Sequence, residues 1–424
     1  MTDPRISTTF RMLRVLHTAD WHLGHTLHDI PRRYEHAQFL DWLLERMSGE
    51  AVDALVIAGD VFDTANPSAE AQETLYRFLA AARKRMPELD IVVIGGNHDS
   101  AARLDAPDPL LRALGIRVVG GLSRDGKRVD VERVIVPLSN RNGDVVAWIA
   151  AVPFLRAFDL PGVDAGDPLV EGVRRVYDEI LAAVRKKRAP GQAILATGHC
   201  YMTGTSLSAL SERKILGGNQ HALPVDIFPE DVAYVALGHL HLGQMVGGRE
   251  GVRYSGSPIP LSLSEAAYNH HVVLVDLDGE ALQSVRVVPI PRAVSILKIP
   301  ADGPKPIDEV LPLLAALPLA DPAVPPETRP YLEVEVVMKK PEPSLRRRVE
   351  EAIAGKTVRL VRIGVHVEGT GLALADAFST KSLKDLGAED VFVQRWRRQY
   401  EGDPPPEMIE AFHDLVERAH QEAR

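Results

Sequence analysis

Along the first 150 residues, apolar positions switch repeatedly between two periods. Leu13-Arg14-Val15-Leu16-His17 has the short apolar run of a strand, and the DWHLG after it reads as a loop. Tyr34 to Met47 then sets Phe39, Leu40, Leu43, Leu44 and Met47 at helical spacing. DALVIA (53–58) is near-continuously apolar, which predicts a strand buried on both faces. Ala69 to Arg85 is again helical, and Ile91 to Ile94 again a strand. Strand, helix, strand, helix, strand is the alternation of a layered α/β sheet. The same pattern carries that sheet onward through VVAWIAAVPF (145–154), AILATGH (193–199) and VAYVALGH (232–239), with a helix over 170–188 between.

Farther on the periods shorten. HHVVLVDLDGE (270–280) and ALQSVRVVPI (281–290) predict a hairpin that closes the large domain. AVSILKIP, IDEVLPLLAAL, YLEVEVVM, SLRRRVEEAIAG and VRLVRIGVHVE follow as a small β-α-β-α-β unit, interrupted by the Pro-rich LPLADPAVPPETRP. From Asp376 the chain turns polar and predicts two amphipathic helices. Leu386, Val391, Phe392 and Trp396 mark one; Met408, Ile409, Phe412, Leu415 and Val416 mark the other, beyond Gly402 and Pro404 to Pro406. The expected regions are therefore 12–290, 291–372 and 376–424. No solenoid-type repeat is visible.

Composition narrows the class. With 45% hydrophobic and 25% charged residues, the 424-residue chain has ordinary globular usage. No apolar run is long enough for a membrane helix, so no membrane role is expected, and the opening residues carry no apolar core of a signal peptide. The single cysteine, Cys200, rules out an internal disulfide and a Cys₄ zinc site and fits a reducing cytoplasm. A net charge of −9 argues against simple electrostatic capture of nucleic acid, although it hides local patches and metal ions. No GxxxxGK[ST] is present, so any ATP hydrolysis would come from a partner.

Five polar clusters each end an apolar run: Asp20-Trp21-His22, Gly59-Asp60, Gly95-Gly96-Asn97-His98-Asp99, Gly198-His199 and Gly238-His239-Leu240-His241. Ligands of open α/β sheets gather at the carboxyl ends of strands, so five such ends can share one crevice. Asp, His and Asn without thiolate suit Mn²⁺, Fe, Zn²⁺ or Mg²⁺. A carboxylate shared by two ions about 3.5–4 Å apart would make a clamp for displacement at phosphorus. Taken singly, each cluster has a plainer reading: a surface turn for Asp-x-His, a satisfied strand-end imidazole for His199, a half-wet strand for His239 and His241. The five together, in this order, favour metal chemistry.

That order, D-x-H, GD-x-x-D, GNHD, GH, GHxH, resembles the calcineurin-like metallophosphoesterases. LHTADWHLGHTL, ALVIAGDVFDTANPS, VVIGGNHDS, ALGHLHLGQ and RYSGSPIPLSLSE are similar, more closely, to the SbcD nuclease subunits of double-strand-break repair. The resemblance is strong over roughly 12–290 and weaker beyond. It implies an α/β fold: a four-layer sandwich of two mixed β-sheets flanked by helices, a small α/β capping domain and a helical tail. It implies two divalent metal ions, Mn²⁺ foremost, one held by Asp20, His22, Asp60 and His241, the other by bridging Asp60 with Asn97, His199 and His239. His98 would act on the scissile phosphate, oriented by Asp99. The implied activity is a DNA nuclease on double-strand ends (3′-5′ exonuclease) and on single strands and hairpins (endonuclease). The implied partners are DNA and an SbcC-type, SMC-like ATPase docked on the C-terminal helices, around a homodimer within a heterotetramer. One departure favours the bacterial branch: Asp63 stands where archaeal and eukaryotic relatives have His, and a turn or capping role for it stays equally open.

Other residues divide between two readings. Arg185-Lys186-Lys187-Arg188 is either a DNA contact or the basic end of a helix. His25, His28, Arg32 and Arg33 are candidates to line a substrate groove, as is Arg346-Arg347-Arg348 to touch phosphates. Trp148 and Phe154 read as core rather than as base-stacking platforms. The amphipathic tail either packs on its own chain or docks on the ATPase. Two other functions remain: a stand-alone phosphodiesterase or phosphatase for small phosphoesters, and a catalytically silent scaffold of the same fold.

Overall fold

The computed structural model describes residues 12–125, 128–163, 166–206, 222–338 and 342–367, together with Trp396 and Met408. The predicted tail helices otherwise lie outside the described residues. Two compact units emerge: Met1–Lys298 with Leu317–Glu333 and Gly355–Arg362, and Ile299–Ala316 with Val334–Ala354 and Ile363–Arg424.

The first unit is built on two mixed six-stranded sheets. In chain order its elements are β1 (Met12–Thr18), α1 (Arg33–Glu50), β2 (Ala54–Ala58), α2 (Ala69–Arg85), β3 (Asp90–Ile94), α3 (Ala101–Asp105), α4 (Asp108–Ala113) and β4 (Ile116–Val119). Then come β5 (Ile135–Ser139), β6 (Val145–Ala150), α5 (Pro168–Lys187), β7 (Ala193–His199), β8 (Tyr234–Gly238), β9 (Gln244–Val246), β10 (Arg249–Tyr254), β11 (His271–Asp278) and β12 (Ala281–Pro289). One sheet runs β12-β11-β1-β2-β3-β4 and the other β9-β10-β8-β7-β6-β5. β6, β7 and β8 therefore do not extend the first sheet, as their periodicity suggested, but form a second one. The reason is long-range. The predicted hairpin β11–β12 returns to pair antiparallel with β1, Leu16 opposite Leu274, and closes that edge.

Side-chain alternation makes the layers. In β1 to β3, Leu16, Leu55, Ile57, Ile91 and Val93 pack with Phe39, Leu43, Leu75 and Phe78 of α1 and α2. Their neighbours Val15, Val56, Ala58, Val92 and Ile94 join the core of the second sheet. Every residue of β7 is buried, so both its faces are covered. One faces the first sheet; α5 supplies the other cover with Val173, Val176, Ile180 and Val184.

The stretch after 291 holds strand Ile296–Ile299, helix Ile307–Ala315, strand Tyr331–Met338, helix Leu345–Ala352 and strand Arg359–Val367. Within the second unit, Lys305-Pro306 pairs parallel with Val336-Val337. Arg348 bridges Glu342 and Asp308 there, while Arg346 and Arg347 pair with Glu350 and Glu351 one turn on.

Candidate metal centre

The strands β1, β2 and β3 run parallel, as do β7 and β8, so each sheet presents its carboxyl ends together. Hydrogen bonds then stitch the five loops into one place. The Asp20 and His22 amides donate to the carbonyls of Gly59 and Asp60, both at 3.0 Å. The His98 amide donates to Asp60 Oδ1 at 2.8 Å, and the His239 amide to Asp20 Oδ1 at 2.9 Å. This closeness explains two glycines: a Cβ on Gly96 would collide with Asp60, and one on Gly238 with the Ala58 carbonyl. It also strains the backbone. Asp20, His22, Asp60 and His239 have φ of 55°, 46°, 46° and 104°. Left-handed backbone costs a non-glycine residue roughly 1–3 kcal/mol and persists where the surroundings enforce it, typically at functional sites.

All seven predicted ligands meet here. Donor atoms of Asp20, His22 and His241 lie within 4.8 Å of one another, and so do those of Asp60, His199 and His239. Asn97 Oδ1 is 3.0 Å from both His199 Nε2 and His239 Nδ1. Asp60 Oδ2 stands between the two groups, 3.6 Å from His22 Nε2 and 3.3 Å from His199 Nε2.

The rings show what this arrangement can hold. His22 Nδ1 donates to Asp63, His199 Nδ1 to the Ala58 carbonyl and His241 Nδ1 to Glu265. The Nε2 atoms of these three rings then stand beside two buried carboxylates and an amide oxygen; burial opposes charge on His199, but the Asp60 and Asp20 carboxylates outweigh it and raise its pKa to about 9. His22 Nε2 is buried with no hydrogen-bond partner. A buried lone pair such as that of His22 Nε2, 3.6 Å from Asp60 Oδ2, is unfavourable unless a cation takes it. The donor set therefore fits a pair of divalent ions of the oxygen-and-imidazole kind. Burial keeps His22 and His239 neutral, with pKa values lowered to about 4 and about 3. It pushes the Asp20 carboxyl up to about 7 as well, against the pull of His199 and His241 and with the neighbouring Asp60 carboxylate adding to the rise.

His98 sits beside this cluster, half-buried, its ring 4.7 Å from that of His22. Its Nδ1 donates to the Asp63 carbonyl at 2.8 Å. Asp99, expected to orient His98, does something else: its carboxylate accepts the amides of Val61, Phe62 and Gly96 at 3.1, 2.9 and 2.9 Å. It thus pins the Asp60 loop to the Asn97 loop. Asp63 carries the imidazole contacts, its Oδ1 lying 3.2 Å from His22 Nδ1 and 3.0 Å from His25 Nδ1.

The remaining candidates scatter. His28 is exposed on the turn of a small hairpin (Thr26–Leu27 with Ile30–Pro31). Arg32 is 1% exposed, locked by Glu35 and the Pro260 carbonyl, so it lines no groove. Arg33 is exposed and paired with Glu70. At the end of α5, Arg185 pairs with Asp231, Lys187 with Glu132 and Arg188 with Glu280. Trp148 bonds Gln192, whereas Phe154 stands edge-on to His199, ring centres 6.3 Å apart, at the rim of the site rather than in the core. Glu265 escaped the sequence reading: it is fully buried and bonded to His241 at 3.0 Å. Its signal was a lone acid at the end of SGSPIPLSLSE.

Against known families, residues 13–243 match the calcineurin-like phosphoesterase model, and residues 292–400 match the type 5 capsule protein repressor C-terminal domain. The SbcD subunit of the SbcCD nuclease from Rhodobacter capsulatus is 43% identical over 359 residues, covering 83% of this chain and 87% of that one. The Escherichia coli K12 and Bacillus subtilis proteins of the same name are 37% and 36% identical, covering 68% and 62% of this chain and 71% and 66% of theirs. A dimetal phosphatase from Danio rerio aligns over 66% of this chain and 99% of its own at 13% identity and a TM-score of 0.35, a level that carries no argument. The chain belongs to the calcineurin-like phosphoesterases and, within them, to the family of SbcD nuclease subunits. Among the described residues no helix is long and apolar enough to cross a membrane.

Proposed function

We propose that the chain is the nuclease subunit of an SbcCD-type complex, hydrolysing DNA phosphodiester bonds at double-strand ends and hairpins with two divalent ions, Mn²⁺ in a cytoplasmic setting. The observation that carries this reading is the shared carboxylate. Asp60 joins two sets of buried acceptors, in a chain 43% identical to a nuclease subunit over most of its length. Asp20, His22, Asp60 and His241 would hold one ion; Asp60, Asn97, His199 and His239 the other. When bound, the ions supply Lewis acidity and charge neutralisation at a phosphate. The chain supplies the rest. Asp60 fixes the spacing of the two sets. His98, with Nδ1–H committed to the Asp63 carbonyl, keeps Nε2 for a proton at the leaving oxygen. Asp99 keeps the two loops in register.

The relatives' name makes them one subunit of a larger complex, and this chain has no phosphate-binding GxxxxGK[ST] loop, which supports an ATPase partner of the SbcC type. We assign its docking to the amphipathic segments after Asp376, and a homodimer to the nuclease itself. Purified protein with Mn²⁺ should cut a DNA hairpin. Cleavage of cyclic nucleotides alone would reject the nuclease reading, and absence of bound metal would favour a silent scaffold.

A further inference from the structure

The SGSPIPLSLSE segment has no part in the chemistry so far, yet it lies under the first ligand set. Glu265, at its end, splits its carboxylate. Oε1 meets His241 Nδ1 at 3.0 Å, and Oε2 accepts the Leu261 amide at 2.8 Å. From the other side, Asp63 Oδ1 links His22 Nδ1 to His25 Nδ1, and His25 Nε2 reaches the Leu261 carbonyl at 2.9 Å. The two networks thus end on one residue's backbone, its N–H and its C=O. Arg32, buried against Glu35, holds the preceding Pro260 carbonyl at 2.6 Å. Two ligands drawn from positions 22 and 241 are in this way referred to a single fixed point. In the second set, by contrast, His199 Nδ1 leans on the Ala58 carbonyl at the end of a central strand.

We propose that the loop from Ser257 to Glu265 is a clamp for the ion of the first set, with Glu265 and Asp63 as positioning residues coupled through the Leu261 backbone. The inference rests on the metal reading above and deepens it. Carboxylates that receive a ligand imidazole's second N–H fix its tautomer and rotation, and losing one typically costs about 10–100-fold in metal affinity. Asp63 and Glu265 then share the task of keeping the Nε2 atoms of His22 and His241 turned toward one cation.

The test is Mn²⁺ titration of the full chain by calorimetry and by electron paramagnetic resonance. The unaltered protein should bind two ions. Asp63→Asn and Glu265→Gln should each weaken one ion about 10–100-fold and leave the other unchanged. Asp63→Glu, which restores a carboxylate, should recover most of that loss, and His25→Ala should shift the same ion by less than about tenfold. Asp63 is partly exposed, so its variants decide the matter even if Glu265→Gln fails to fold. Two tight ions in Asp63→Asn, or equal weakening of both, overturns the clamp. An unaltered chain that binds no ion overturns the metal reading itself, and the clamp with it.

Discussion

Two regions of this molecule collect charge, and they do so in opposite ways. At the carboxyl ends of β1, β2, β3, β7 and β8, carboxylates and imidazoles are buried, crowded and strained, and acceptor atoms face one another. At the C-terminal end of α5, Arg185, Lys187 and Arg188 lie near the surface, each matched to an acid on a neighbouring segment. The first arrangement is costly for folding and makes sense only with a ligand. The second is roughly neutral for folding and needs none, since exposed pairs contribute about 0–1 kcal/mol. Residue type does not separate the two regions; burial and the balance of donors and acceptors do.

The sharpest way to break the comparison is to remove the group common to both ligand sets. Asp60→Ala should lose both ions and all detectable cleavage, measured by metal analysis and a hairpin-cutting assay. Retention of two ions would mean Asp60 bridges nothing. Next in size, His98→Ala should keep both ions yet cut about 10²–10⁴-fold more slowly, the usual loss when a positioned acid or base is removed. Normal cleavage by that variant would remove His98 from the reaction.

Asp99 sharpens the contrast between charge used for chemistry and charge used for architecture within the site itself. Its carboxylate accepts three backbone amides and, among the described residues, no hydrogen bond from a candidate ligand's ring. Asp99→Ala strands those buried donors, and a stranded donor costs about 1–3 kcal/mol. With partial relief by water, denaturant unfolding should show a loss of roughly 2–4 kcal/mol. Unaltered stability would return Asp99 to the role of a partner for His98.

How much of this was legible beforehand follows from range. Runs such as DALVIA and AILATGH announce buried strands, and the polar residues that end them announce a site, because strand ends are local in sequence. The partition into two sheets, which the family resemblance implied, was not legible in the periodicity, because it depends on β11 reaching β1 from the far end of the domain. The same limit hid Glu265, whose partner His241 is 24 positions away. It also made Arg32 look like a groove residue: an arginine that closely follows the Asp20–His22 loop reads as substrate-facing until Glu35, Pro260 and Tyr331 close over it. Asp99 misled for a different reason. The resemblance implied that it orients His98, whereas the backbone amides of Val61 and Phe62 take the carboxylate.

The smallest expected effect lies at the other pole. Arg185 is bidentate on Asp231, both bonds at 2.7 Å, and Lys187 meets Glu132 at 2.6 Å, with the basic side chains about a third exposed. A cation already neutralised by a neighbouring acid releases few counterions on meeting a phosphate, so it adds little to DNA affinity. Arg185→Ala and Lys187→Ala should change stability by less than about 1 kcal/mol. They should also leave the slope of log affinity against log salt unaltered in a DNA-binding titration. A slope reduced by about 1 for each removed charge would show that these pairs open onto phosphates. In that case the difference between the two regions is one of strength, and the acidic partners at 132 and 231 would be gates rather than anchors.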